Sequence, residues 1–247
     1  MPWTEVKNEW IKDAHLLSIT ENFTGATVII SPHPDDESLG CGGTIAALAK
    51  ADKKVHIIFV SDGSMSHPNS QKYAAPLLME LREKEALAAA EILGVPEMQC
   101  HFMRLKDSAV PTIGAAGFRN AVGNMGELLK NIQPHTIILP WKNDPHRDHK
   151  ASWQITHASI MQAGLQVQML HYLIWFWQRG DADEELLQSE ICKVGIYDFV
   201  GVKQAAIEAH VSQVSNLIDD DADGFILSQE VLNHFKDPFE LFIKLKT

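Results

Sequence analysis

Cysteine is scarce. Cys41, Cys100 and Cys192 are scattered and odd in number, so neither a CxxC pair nor a disulfide framework can be drawn. Basic charge is scarce too. Twenty-one Lys and Arg stand against 32 Asp and Glu, a formal net charge of -11. General nucleic-acid binding through counterion release needs clustered cations, and so does an anionic membrane surface; both are disfavoured. Long apolar runs are missing: 169-MLHYLIWFW-177 falls well short of the ~18 residues that span a bilayer. The opening MPWTEVKNEWIKDAH has no apolar h-region, so no secretory signal is expected. Internal repeats, low-complexity tracts and linkers are also absent. A reducing cytoplasm is the expected compartment.

What remains is an ordinary globular composition, 45% apolar and 21% charged over 247 residues, enough for one α/β domain spanning 1–247. Short apolar runs alternate with longer helical patterns. Strands are predicted at 26–31, 55–61, 98–103, 135–140 and 171–177, with a weaker sixth at 189–196. Continuous runs such as HIIFV and TIIL suit strands buried on both faces, as in a parallel sheet. Helices are predicted at 43–51, 76–94, 117–132 and 148–164; Pro76 opens the second and Gly94 stops it. The order points to an α/β, Rossmann-like, mostly parallel sheet with helices on both faces. From about residue 201 the tail reads as helix, acidic loop, helix, a helical C-terminal appendage.

Two short stretches carry chemistry. In 31-SPHPDDESLGCGGT-44, His33, Asp35, Asp36 and Glu37 follow the first apolar strand, where sites of such folds lie. A helix N-terminus welcomes one or two acids, but that does not explain a His-Pro-Asp-Asp run. Imidazole and carboxylate both bind divalent metals, so His33 and Asp36 are candidate ligands, with Asp35 left free as a base. In 140-PWKNDPHRDHKA-151, His146 and His149 bracket Asp148 after the strand TIIL. Asp148 as a helix N-cap is the bland alternative. His33, Asp36 and one histidine of the second stretch would make a His₂Asp set with an open position for water, the pattern of catalytic zinc. Asp35 would take a proton from that water. The other histidine, protonated, would face a developing oxyanion and protonate a leaving amine, with Asp148 holding it in its charged form. Such a set fits amide hydrolysis.

At these residues the sequence resembles the zinc-dependent N-acetylglucosamine deacetylases, the PIG-L or LmbE-like family. Its His-Pro-Asp-Asp-Glu signature is matched by 33-HPDDE-37 and its later His-x-Asp-His by 146-HRDH-149. The segments 61-SDG-63, 82-REKEALAAAEILG-94 and 105-LKDS-108 look like its intervening elements. The resemblance implies one Zn²⁺ per chain on His33, Asp36 and His149, with Asp35 as general base. It makes His146 the oxyanion stabiliser and acid, with Asp148 behind it, and puts Arg82 and Asp107 near the sugar. It implies a small amino-sugar conjugate as substrate and leaves self-association open, since members range from monomers to hexamers. Arg82 also reads as an exposed helix charge paired with Glu85. The sequence departs from the family where Arg147 replaces a usual proline, and where Asp144 stands at a position that some members fill with an oxyanion-donating tyrosine.

Other features compete. The stretch 219-DDDADGFILSQE-230 matches a calcium EF-hand loop at positions 1, 3, 5, 6 and 12, although Leu227 stands where a polar residue is usual. A calcium-binding protein using this loop is therefore the reading from a different class; an acidic turn with Phe225, Ile226 and Leu227 tucked into the core is its structural counterpart. The run 172-YLIWFW-177 offers Trp175 or Trp177 as a sugar platform, or as core. His67, in a long polar loop after the second strand, borders the expected site. Cys41 beside the first motif needs no catalytic role. The choice between a sugar and a non-sugar amide, the resident metal (His₂Asp accepts Fe²⁺, Co²⁺ and Ni²⁺ as well) and the roles of Glu37 and Arg147 stay open.

Overall fold

The computed structural model describes residues 3–179, 186 and 188–245. Among them, the helices are α1 (Trp3–Asp13), α2 (Ile19–Asn22), α3 (Asp36–Lys50), α4 (Ala75–Ile92), α5 (Phe118–Ile132), α6 (Arg147–Ala163), α7 (Phe176–Arg179), α8 (Val200–Ala209), α9 (Val211–Val214) and α10 (Gln229–Asn233). The strands are β1 (His15–Leu16), β2 (Thr27–Ser31), β3 (Val55–Ser61), β4 (Cys100–Leu105), β5 (Thr136–Pro140), β6 (Gln168–Tyr172), β7 (Glu190–Gly195) and β8 (Phe239–Lys244). They form one sheet in the order β1-β7-β8-β6-β5-β2-β3-β4. Every pairing is parallel except those of β8, which runs antiparallel to both neighbours. No helix among the described residues is long and apolar enough to cross a membrane.

The continuous apolar runs become central strands because both sheet faces are covered. Ile29, Ile57, Phe59 and Ile138 point into one core, with Leu39, Ile45 and Leu48 of α3 and Ala86, Ala89 and Ala90 of α4. Their neighbours Val28, Ile30, Ile58, Ile137 and Leu139 point into the other, with Met125 and Leu129 of α5 and Ile155 of α6. This is the two-residue alternation of a strand with no wet side.

Strand β2 sits between β5 and β3. The chain runs from β2 outward to β3 and β4, then returns on the other side as β5. The connections leaving β2 and β5 therefore diverge and open a crevice at their carboxyl ends. Both motifs begin there, which is how residues some 110 apart in sequence meet.

Several boundaries differ from the sequence reading. The strand expected at 171–177 is β6, ending at Tyr172. Asp144 accepts hydrogen bonds from the backbone N–H groups of Ile174 (3.4 Å) and Trp175 (3.1 Å) and turns the chain away, so the aromatic run splits between sheet and α7. The helix expected at 43–51 begins at Asp36 and kinks at Cys41 (φ -150°, ψ 22°). A Cβ on Gly40 would meet the Tyr172 ring at 2.6 Å, so that turn needs glycine. The tail is helical in α8, α9 and the short α10, but it also contributes β8, which enters the interior of the sheet. The tail is therefore not only an appendage.

Strand β8 also repairs the kink. Glu240 accepts the N–H groups of Gly43 (2.9 Å) and Thr44 (2.7 Å) and the Thr44 hydroxyl (2.6 Å), capping the second half of α3 from about 200 residues away. Lys203 on α8 donates to the same carboxylate at 2.7 Å, and both ends of the pair are buried. Removing one member strands the other in the core. Glu240→Ala is expected to cost about 3–5 kcal/mol, roughly 6–20 °C in Tm, measured by thermal and urea melts. A loss below about 1 kcal/mol would show that the pair is not holding α3.

Candidate metal centre and active site

The first motif is a turn under tension. Asp35 adopts φ 144°, in the region that favours glycine, at a cost of about 1–3 kcal/mol. Three contacts hold it. Glu37 Oε2 accepts the Asp35 N–H at 3.1 Å. Arg82 of α4 donates to Asp35 Oδ2 at 3.0 Å and also to the Pro34 carbonyl. Glu37 is itself anchored, accepting from the Ser31 and Ser38 hydroxyls (both 2.8 Å) and pairing with buried His210 at 3.0 Å. Burial drives the Asp35 carboxyl up to about 6 against the opposing pull of Arg82. Burial would raise Glu37 as well, but His210 and the serine hydroxyls hold it below its usual value.

The second motif opens α6. His146 is the N-cap, its Nδ1 accepting the Asp148 N–H at 3.2 Å. That bond leaves Nε2 as the ring's donor. Burial, then the neighbouring His33 and His149, push His146 down to about 4. His149 is fully buried, with Nδ1 3.3 Å from Asp144 Oδ1 and Nε2 3.2 Å from Asp36 Oδ2. Asp144 also accepts the His146 N–H at 3.0 Å. The sequence reading missed this orienting role. The only signal for it was an acid two residues ahead of the motif.

Asp148 departs from its expected place. Its carboxylate makes no hydrogen bond to the His146 ring, although its charge does favour the protonated imidazole; it accepts the Ser108 N–H at 2.7 Å and lies 3.4 Å from His33 Nε2. Asp107 also turns to His33, at 3.4 Å, and accepts the Met65 N–H at 2.8 Å. Arg82 is no exposed helix charge. It is buried, and Glu85 instead accepts from the Ser212 N–H and hydroxyl. Arg82, Asp107, Asp35 and Asp36 nevertheless all line one cleft of about 430 Å³ with His33 and His146.

The cleft's inner end suits a cation. Asp36 Oδ2 lies 3.2 Å from both His33 Nδ1 and His149 Nε2. The ring nitrogens of His33, His146 and His149 fall within 4.8 Å of one another, and His33, Asp107 and Asp148 form a second such group. His149 Nε2, for all its closeness to Asp36, and Asp148 Oδ1 are buried without a well-aligned hydrogen bond, which is costly unless something else satisfies them. Burial would raise the Asp36 carboxyl, yet His149 and His33 hold it well below the carboxylate range. Burial would lower His149, yet Asp36 and Asp144 lift it to about 9. An anionic pocket that attracts protons this strongly also attracts a divalent cation, and nitrogen and oxygen ligands of this kind fit one.

The acidic loop behaves otherwise. Asp219 pairs with Lys72. Asp220 accepts from Ser70, Gln71 and Lys72, and Asp221 from Asn69. These carboxylates cap a neighbouring loop. Among the described residues they join no group of acids and histidines able to hold a metal; Leu227 is buried as the acidic-turn alternative expects, but Phe225 and Ile226 are exposed rather than tucked into the core.

Fold and site together define a class: an α/β protein with a His/Asp group able to hold a divalent metal on the carboxyl edge of its sheet. Comparison narrows the class. Residues 28–160 match the PIG-L family, described as GlcNAc-PI de-N-acetylase. The 1D-myo-inositol 2-acetamido-2-deoxy-alpha-D-glucopyranoside deacetylase of Mycobacterium sp. (strain KMS) is 26% identical over 229 residues, 76% of this chain and 74% of that protein. Similar solved structures include N,N'-diacetylchitobiose deacetylase of Pyrococcus horikoshii (TM-score 0.62, 21% identity, 87% of this chain and 81% of that one). They also include the 4-carboxy-2-hydroxymuconate hydratase GalB of Pseudomonas putida KT2440 (TM-score 0.62, 17% identity, 86% and 83%). The chain belongs to the PIG-L family and is a deacetylase, a hydrolase of carbon–nitrogen amide bonds.

Because Asp144 fixes the His149 ring from behind, Asp144→Asn is expected to weaken divalent-metal affinity by about 10–100-fold, measured by competitive chelator titration with circular dichroism as the fold control. Unchanged affinity would remove Asp144 from the support of the site.

Proposed function

We propose that this chain removes the acetyl group from an N-acetylglucosamine-containing glycoconjugate, with one zinc ion held by His33, Asp36 and His149. The observation that carries this reading is Asp36 Oδ2 lying 3.2 Å from ring nitrogens of both histidines, with the clamped carboxylate of Asp35 next to it in sequence. Family membership supports the acetamide as the bond cut, and the mycobacterial relative's name supports the amino sugar.

A divalent cation held by His33, Asp36 and His149 would supply Lewis acidity towards water and the acetamide carbonyl. Asp35, fixed by Arg82 and Glu37, accepts the proton of the attacking water. His146 offers Nε2–H to the carbonyl oxygen as charge gathers there, an electrostatic contribution that costs no reorganisation. The bond from the Asp148 N–H occupies Nδ1 and keeps the ring neutral. The proton the departing amine needs is therefore assigned to Asp35, which has just accepted one, rather than to His146 as the sequence reading expected. Asp148 and Asp107 steady His33. Acetate and the free amino sugar are the products.

Asp35→Asn is expected to lower kcat by about 10²–10⁴ while leaving one zinc per chain, measured by acetate release beside elemental analysis. His146→Ala is expected to lower kcat by about 10²–10³ with metal retained. Wild type that takes up no metal when zinc is supplied, or that releases no acetate from any N-acetylglucosamine conjugate, would sink the reading. A hydratase on the same fold would release none.

A further inference from the structure

The cleft that holds the His/Asp group also carries large apolar side chains, Trp175, Phe225, Leu227 and Met65, among polar neighbours such as Ser66 and Gln213. The Trp175 ring lies 6.4 Å from that of His146, tilted by 31°. The Phe225 ring meets Trp175 edge-on, 5.7 Å away at 71°. Together they make a right-angled aromatic corner beginning one ring away from the residue assigned to the oxyanion.

This corner is built rather than incidental. The Asp144 carboxylate that orients His149 also accepts the Trp175 N–H, tying the platform to the metal group. Phe225 donates its N–H to the Ser66 carbonyl at 2.7 Å, and Leu227 its own to the Gln213 carbonyl at 2.8 Å. Asp220 and Asp221 fasten the same loop to residues 69–72. Yet Phe225 is 38% exposed and Met65 37%. Large apolar side chains held in place at the mouth of a polar cleft mark a binding surface.

Charge narrows the occupant. Arg82 is spent on Asp35, Pro34 and Gly63. Arg147, 62% exposed, leans on Asp148 at 3.8 Å. Lys106 donates to Ser64 and Lys72 pairs with Asp219. The sequence leading to Phe225 carries four acids, Asp219, Asp220, Asp221 and Asp223. Those acids do not line the cleft; its own charged lining is Asp35, Asp36 and Asp107 against Arg82 and Arg147, so an acidic aglycone would meet one exposed arginine rather than a converging set of cations. Asp220 and Asp221 are already satisfied by N–H donors, so a cationic aglycone gains little from them.

We propose that Trp175, Phe225 and Met65 form an aglycone subsite that takes a neutral group with an apolar face, aryl or alkyl, in preference to an acidic or cationic one. The proposal deepens the deacetylase reading and rests on it for the orientation of the sugar. Stacking on an aromatic face contributes beyond area alone, and a snug corner selects for shape.

The test is equilibrium binding, by calorimetry, of the phenyl, malyl and 2-aminoethyl glycosides of N-acetylglucosamine to the zinc-supplied Asp35→Asn protein. The phenyl glycoside is expected to bind at least tenfold tighter than either of the others. Adding Phe225→Ala or Trp175→Ala should each reduce that preference about five- to tenfold, whereas Phe225→Tyr should keep it. Equal or tighter binding of the malyl or aminoethyl glycoside would overturn the proposal, as would a phenyl preference that survives both alanine variants. Acetate release by wild type is read separately. A phenyl preference without acetate from any glycoside would sink the deacetylase reading and leave the subsite standing. Acetate released from all three at similar kcat/KM, with no binding preference, would do the reverse.

Discussion

Buried negative charge is the constraint around which this molecule is organised. Asp35, Asp36, Glu37, Asp107, Asp144 and Asp148 are all buried, clustered at the carboxyl edge of a sheet whose interior is otherwise apolar. Each ionised carboxylate taken out of water carries a large penalty unless it is paired. The structure answers with distinct partners: Arg82 for Asp35, His210 for Glu37, His149 for Asp144, backbone N–H groups for Asp107 and Asp148. Asp36 alone faces two histidines that also face other acids. It is the point where protein partners cannot serve every neighbour at once, and a cation is the economical solution.

In the mechanism proposed above, each chemical task has a nameable mechanical support. The base is set by a strained backbone and a buried anchor, Glu37. The metal group is set from behind by Asp144. The oxyanion donor is set by the first turn of α6 itself, because His146 is both N-cap and site residue. The last two supports are linked, because Asp144 also accepts the His146 N–H and His146 and His149 both sit at the start of α6, so a shift of that helix would disturb both tasks.

Much of this was legible in the sequence because parallel strands and their following loops are local objects. The runs TVIIS, VHIIFVS and TIILP announce strands buried on both faces, and each motif is confined to a few residues at a strand end. The topology that joins β2 to β5 follows from the fold class. What could not be read depends on distant partners. Strand β8 pairs with β6 and β7 through a register set by the whole sheet. The first turn of α3, rich in Asp and Gly, looks like a loop until Glu240 is placed against its kink. Spacing put Asp148 beside His146 but could not say that a helix cap would occupy the ring with a backbone N–H and send the carboxylate to Ser108 and His33. The aromatic run 172–177 looked uniform, and only the buried Asp144 explains where the strand ends.

The placement of β8 has a bearing on how the chain comes to be competent at all. A ribosome makes the first motif early, with residue 33, and the second by residue 149. The helix that follows the first motif is capped by a carboxylate on residue 240, on a strand that enters between two others already made. A nascent chain can therefore hold every proposed ligand and the proposed base and still lack the carboxylate that caps the second half of α3. Order in this protein is completed from the back, and the long-range closure it requires is the kind that slows folding. The two motifs lie between residues 33 and 149, and the carboxylate that caps the helix after the first of them waits until residue 240.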